Sequence, residues 1–225
     1  MAGSSPGRRT TIFTLATAAA VYVLWSTPVV YPLKIFVVFL HEISHGLAAV
    51  ATGGSIVRIE LNANQGGVCW TRGGSRFLTA SAGYLGSLLW GALFLVAAAR
   101  TRFDRFLVGL VGVFVIGVTV LYVRSGFGLV YGLAAGALLI GTATSFSESV
   151  SDALLRVIGT VSCLYAPWDI ASDLLLRDVA ASDAHTIAGI THVPAVVWGV
   201  VWFLLATAGA VYTLVVTSRR GRRGA

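Results

Sequence analysis

Lys34-Ile-Phe-Val-Val-Phe-Leu-His41-Glu42-Ile-Ser-His45-Gly-Leu-Ala-Ala-Val-Ala51 sets two histidines and a glutamate in the middle of an otherwise apolar run. As an α-helix this run stacks His41 and His45 on one face, where both imidazoles can grip one metal ion. Glu42 lies about 100° round the same helix, within reach of a water that the metal activates. Polar groups are costly in hydrocarbon, so a His-Glu-His set in such surroundings implies function. The reading of this stretch fixes both the class of fold and the class of chemistry.

The rest of the chain is that of a membrane protein. Of its 225 residues 56% are hydrophobic and only 11% are charged, with a mean hydropathy of +0.84. Soluble domains carry roughly a quarter of their residues as charges. The net charge of +7 does not imply nucleic acid, because the arginines form no single patch with interleaved aromatics. They punctuate the ends of apolar runs: Arg8 and Arg9, then Arg100, Arg102 and Arg105, then Arg219, Arg220, Arg222 and Arg223. Cys69 and Cys163 are far apart and read as buried thiols, with no disulfide framework.

Residues 1–11 read as a basic N-terminal tail, 12–217 as a single integral-membrane domain and 218–225 as a basic C-terminal tail. Within the domain the apolar segments are 12–32, 33–52, 76–99, 106–123, 127–144, 152–176 and 193–217, several long enough for a ~30 Å hydrocarbon core. The first is expected to stay uncleaved, since Ala18-Ala19-Ala20 comes too early for a signal-peptide site. Gly109, Gly112 and Gly117, with Gly128, Gly132 and Gly136, have the spacing of close helix contacts in lipid. The expected fold is an all-α polytopic membrane protein with six or seven membrane helices and a small β-hairpin after the metal-binding helix. That hairpin is read at 55–74, where Ile56, Arg58 and Glu60 alternate with Val57, Ile59 and Leu61 before the turn residues Ala63-Asn64-Gln65-Gly66.

The next span opens with Ala82, Gly83, Gly86 and Ser87, small residues expected to press against the metal helix at Gly46. A third metal ligand is needed, and a carboxylate is a usual one. Asp169 is the first candidate and Asp173, one turn on, the second; both follow Pro167 in a span otherwise apolar. His185 and His192 compete from a polar connector, 177–192, which also holds Arg177, Asp178 and Asp183. There Ser182 has the look of the N-cap of a short helix over 183–190, which leaves His185 on an exposed face. Arg58 and Arg177 are the expected charge partners of any structural aspartate. If 33–52 does not cross, six full crossings remain. Both termini and the Arg100–Arg105 loop then share the cytoplasmic side, as the positive-inside rule prefers.

The order of these parts resembles the site-2 protease family of intramembrane zinc metallopeptidases, in its small bacterial and plant branch. His41, Glu42 and His45 match the family's H-E-x-x-H helix. Ala82-Gly83-Tyr84-Leu85-Gly86-Ser87 looks like its Gly-Pro-x-x-Asn step with Pro and Asn replaced. Pro167 and Asp169 stand where it carries an Asp-Gly motif, here followed by Ile170, Ala171 and Ser172. Trp168-Asp169-Ile170 with Asp173, then Ser182-Asp183-Ala184, looks like the small branch. The resemblance covers about 33–194. It implies a zinc-dependent hydrolase in a bacterial cell membrane that cuts a transmembrane segment of a membrane protein. His41, His45 and Asp169 would hold Zn²⁺ and Glu42 would act as general base.

Two other readings compete. A catalytically inactive scaffold binding a client helix is allowed by the imperfect second and third motifs, although it needs no general base at position 42. A metal transporter calls for polar groups in several spans, which 106–123 and 127–144 lack apart from scattered Thr and Tyr.

Overall fold

The computed structural model describes residues 6–175 and 182–219. Its helices are α1 (Pro6–Leu24), α2 (Tyr31–Ala51), α3 (Arg76–Arg100), α4 (Asp104–Tyr122), α5 (Gly126–Ser145), α6 (Glu148–Leu175), α7 (Asp183–Thr191) and α8 (Ala195–Arg219). Strands β1 (Ser55–Leu61) and β2 (Gly67–Arg72) form one antiparallel hairpin between α2 and α3. The expected all-helical membrane fold with one hairpin is therefore the observed one. Part of the segment read as an N-terminal tail belongs to α1, and the Arg177–Asp178 part of the connector lies outside the described residues.

Local chemistry accounts for the boundaries. Pro32 sits in the first turn of α2, where its missing N–H costs nothing, and Gly53 takes φ +87° just beyond the helix end. Ser75 and Ser125 cap α3 and α5, accepting from the N–H of Leu78 and Gly128. In the α4–α5 pair, a side chain on Gly112 would meet the Gly136 carbonyl at 2.9 Å, so these two glycines do set close packing. Gly117 faces open space and contributes nothing to it.

By length and composition α2, α3, α4, α5, α6 and α8 can each cross a membrane, and α1 is a shorter apolar helix. The direction of each helix follows from its contacts. Phe77 packs on Trp198 and Trp202, and Leu88 on Gly209, so α3 and α8 run parallel. Gly91 meets Cys163, Gly159 meets Leu95, and Arg156 donates to the Ala98 carbonyl at 2.8 Å, so α6 runs the other way. Arg105 at the start of α4 donates to the carbonyls of Ala143 and Thr144 at the end of α5. Thr11 donates to the Ser218 carbonyl, while Trp25 packs on Tyr165 and Trp168, so α1 opposes α8.

The metal helix behaves differently. At its start Lys34 Nζ lies 4.9 Å over the Trp25 ring and Tyr31 donates to the Ala63 carbonyl in the hairpin turn. At its end Thr52 Oγ1 accepts from the Ser75 N–H, where α3 begins. Helix α2 thus begins beside the end of α1 and the hairpin turn and ends beside the start of α3. The end of α3 and the start of α4, with Arg100 and Arg105, lie at the opposite end of the bundle from the start of α3.

Burial agrees with that central place. The apolar window of α2 is 78% buried inside the protein, against 28% for α4, α5 and α8. Outward faces such as Leu110, Val113 and Leu138 are what lipid covers.

Candidate metal centre

Helix α2 presents His41 and His45 on one face, their rings edge-on with centroids 4.8 Å apart. Nδ1 of His45 lies 2.7 Å from the Thr79 carbonyl oxygen on α3. A carbonyl only accepts, so Nδ1 carries the hydrogen and donates it, which leaves the Nε2 lone pair free. That Nε2 faces Asp183 Oδ1 at 3.3 Å, and Nε2 of His41 faces Asp183 Oδ2 at 3.2 Å. The second contact lacks hydrogen-bond alignment: Asp183 Oδ2 is buried with no hydrogen-bond partner among the described residues.

One carboxylate therefore stands across two imidazole nitrogens, with ligand atoms all within 4.8 Å of one another. Two neutral nitrogen donors and a carboxylate are a usual set for zinc. A cation between them would satisfy the orphaned oxygen. Backbone and not side chain faces this space from α3. A Cβ on Gly83 would run into His41 Nε2, Asp183 Oδ2 and His45 Cε1.

The carboxylate that completes the set differs from the one expected from sequence. Asp169 Oδ2 lies 3.7 Å from His41 Nδ1, on the opposite edge of the ring from Asp183. Asp173 accepts the Tyr84 hydroxyl at 2.7 Å. The physical reason is the start of α7. Ser182 caps that helix, accepting from the His185 N–H, and so makes Asp183 its first residue. The first turn then points into the cleft. His185 is exposed, as expected of a helix face turned away, and the exposed His192 ends α7 at φ 60°. Among the described residues Arg58 pairs with Glu60 at 2.7 Å and with no aspartate, and it stacks on Trp70.

Packing at Gly46 also departs from expectation. Gly46 makes room for Ile56 and Cys69 of the hairpin, while Gly86 of α3 closes on Ser44. The hairpin is thereby pressed onto the metal helix. A Cβ on Gly67 would lie 2.6 Å from Glu42 Oε1, and the Cys69 N–H hydrogen-bonds the Glu42 carboxylate. Burial, and then the charge of Glu42, push the Cys69 thiol up to about 12, so it stays protonated and inert.

The strand edges are unlike. Ile59 O accepts from Arg124 N, and both backbone groups of Leu61 bond to Ser125 Oγ, so β1 is covered by the α4–α5 junction. Their partners across the ladder are Cys69 and Gly67. Residues opposed as non-hydrogen-bonded pairs both turn their backbone groups outward, so Gly67, Cys69 and, by alternation, Thr71 present theirs away from β1. These three residues line a cleft of about 380 Å³ together with His41, Glu42, His45 and Asp183. The sequence had offered no sign of Thr79 at the site, whereas Gly83 stood among the small residues expected to face the metal helix and Gly67 in the hairpin read just after it.

No curated protein and no solved structure matches the chain. A family model described as Peptidase M50B-like matches residues 14–213. That match spans every element that builds the centre, and the chain belongs to the Peptidase M50B-like family of membrane metallopeptidases, of the site-2 protease type.

Proposed function

We propose that this protein is an intramembrane zinc endopeptidase of a bacterial cell membrane, hydrolysing a peptide bond in or near a transmembrane segment of another membrane protein. His41, His45 and Asp183 would hold the metal. The observation that carries this reading is the buried Asp183 carboxylate, with an orphaned oxygen, facing the Nε2 atoms of both histidines beside Glu42. When bound, zinc supplies Lewis acidity, polarising a carbonyl and making water acidic near neutral pH.

The protein's own groups supply the rest. Glu42, steadied by the Cys69 N–H, accepts the proton of the attacking water and returns it to the leaving amine. The outward edge of β2 offers backbone partners to a substrate strand, which must leave its own helix before its carbonyls can be attacked. Thr79 holds His45 in one tautomer, and the glycine backbone at 67 and 83 keeps the cleft open at its reacting floor.

The test is zinc content and cleavage of a transmembrane peptide by the detergent-purified protein, beside Glu42→Gln. Zinc in both, with cleavage lost only in the variant, supports an enzyme. Zinc in both and cleavage in neither would favour the scaffold reading, and a wild type without zinc would overturn the metal centre.

A further inference from the structure

His41 is the one imidazole at the centre with a carboxylate on each edge. Asp183 Oδ2 lies 3.2 Å from Nε2 and Asp169 Oδ2 lies 3.7 Å from Nδ1. A metal-bound imidazole spends one nitrogen on the ion and keeps an N–H on the other, and what that N–H meets fixes ring and tautomer. For His45 the partner is the neutral Thr79 carbonyl at 2.7 Å. On the corresponding side of His41 stands a charged group.

We propose that Asp169 is a positioning residue: it holds His41 by Nδ1 so that Nε2 is aimed at the metal space shared with His45 and Asp183. This rests on the reading of His41, His45 and Asp183 as ligands. The directions of the two ring nitrogens diverge, so an ion on Nε2 lies beyond the reach of Asp169 unless the ring turns over. A ring turned over would remove His41 from Asp183, which both histidines share. At 3.7 Å the contact is an ion-pair distance, and a side-chain movement of about half an ångström makes it a hydrogen bond.

The surroundings fit a clamp. Asp169 and Asp183 are each only 15% exposed and His41 only 12%, so water competes weakly for these groups. Close contact at Gly91 and Gly159 holds α6 against α3, the helix that also packs on α2 through Gly86 and Ser44. The same helix turn acts on His41 by a second route. Tyr84 packs edge-on against the His41 ring with centroids 5.6 Å apart, and its hydroxyl is tied to Asp173 at 2.7 Å. The two aspartates therefore divide the work, Asp169 on the ring nitrogen and Asp173 on the aromatic wall beside it. Loss of the orienting partner of a metal-bound histidine lowers metal affinity about 10–100-fold.

The experiment reads zinc affinity by competition with a chromophoric chelator, and coordination by the visible spectrum of the cobalt-loaded protein. It compares wild type, Asp169→Ala, Asp169→Asn and Asp183→Asn in the full-length chain. Asp169→Ala should bind zinc about 10–100-fold more weakly, with the cobalt spectrum keeping the shape and intensity of wild type. Asp169→Asn, which keeps size and a neutral acceptor, should recover most of the loss, and it stands in if the alanine variant does not fold. Asp183→Asn should change the cobalt spectrum itself. Wild-type affinity in both Asp169 variants overturns the proposal, as does a cobalt spectrum altered by Asp169→Asn in the way a lost ligand alters it. A wild type that takes up neither metal defeats the underlying ligand reading instead, so the two failures are distinguishable.

Discussion

Gly83→Ala adds one methyl group at the narrowest point of the centre. A Cβ at this position lies 2.5 Å from His45 Cε1 and nearer still to His41 Nε2 and Asp183 Oδ2. Comfortable carbon contacts are about 3.5–4.0 Å, so about 1 Å of room must be found. His45 cannot give it freely, since its Nδ1 is tied to Thr79 on the same helix as the new methyl. Either α3 retreats from α2 or the ligand atoms separate. Overpacking of this kind costs about 1–3 kcal/mol of stability. A metal centre tolerates only about 0.2 Å in its bond lengths, so zinc affinity should fall at least about 100-fold. Gly86→Ala is the control: its Cβ would strike Ser44 on the same α2–α3 interface but touches no ligand. Thermal unfolding and chelator competition on both variants separate the effects. Both should unfold earlier, and only Gly83→Ala should lose zinc. Wild-type zinc affinity in a folded Gly83→Ala protein, or an equal loss in Gly86→Ala, would refute the geometry.

Glu42→Gln should keep its zinc and lose about 10²–10⁴-fold in cleavage rate, measured on a transmembrane peptide. Thr71→Pro removes an outward N–H from the free edge of β2, and should slow cleavage severalfold while bound zinc stays stoichiometric. Ser182→Ala strips the cap from α7 and should cost about 1 kcal/mol. Because Asp183 is the next residue, zinc affinity should fall with it by roughly fivefold, and Ser182→Asp should restore both. An unchanged affinity in a folded Ser182→Ala protein would mean that α7 is held in place by other contacts.

The histidine pair was legible because helical periodicity is a property of the sequence itself: residues four apart share a face wherever the helix goes. The hairpin was legible for the same reason, with β1 and β2 within a residue of the segments read from alternation and turn residues. Asp183 could not be singled out that way. Nothing in Ser182-Asp183-Ala184 tells whether the first turn of a capped helix points to solvent or into a cleft; that depends on how α7 docks against α3. Asp169 attracted attention because a carboxylate in an apolar span must have a reason, and it has one, on the far edge of His41. Gly46 shows the same limit. Its small size announces a close approach, and only the tertiary arrangement chooses the hairpin over α3 as the neighbour.

The composition of the cleft bears on how water could reach a metal centre inside a membrane protein. Its walls come from α2, the hairpin, the first turns of α3, the later part of α6 and the start of α7. Gln65, Thr71, Arg76 and Thr186 give that cleft a polar lining beyond the ionisable groups of the centre, a path along which water would enter. On the proposed reading, a substrate helix would bring its scissile segment to this cleft and unwind it, exchanging its own hydrogen bonds for those of the β2 edge. The fold places that edge against Glu42 through Gly67, a residue with no side chain to stand between the strand and the carboxylate.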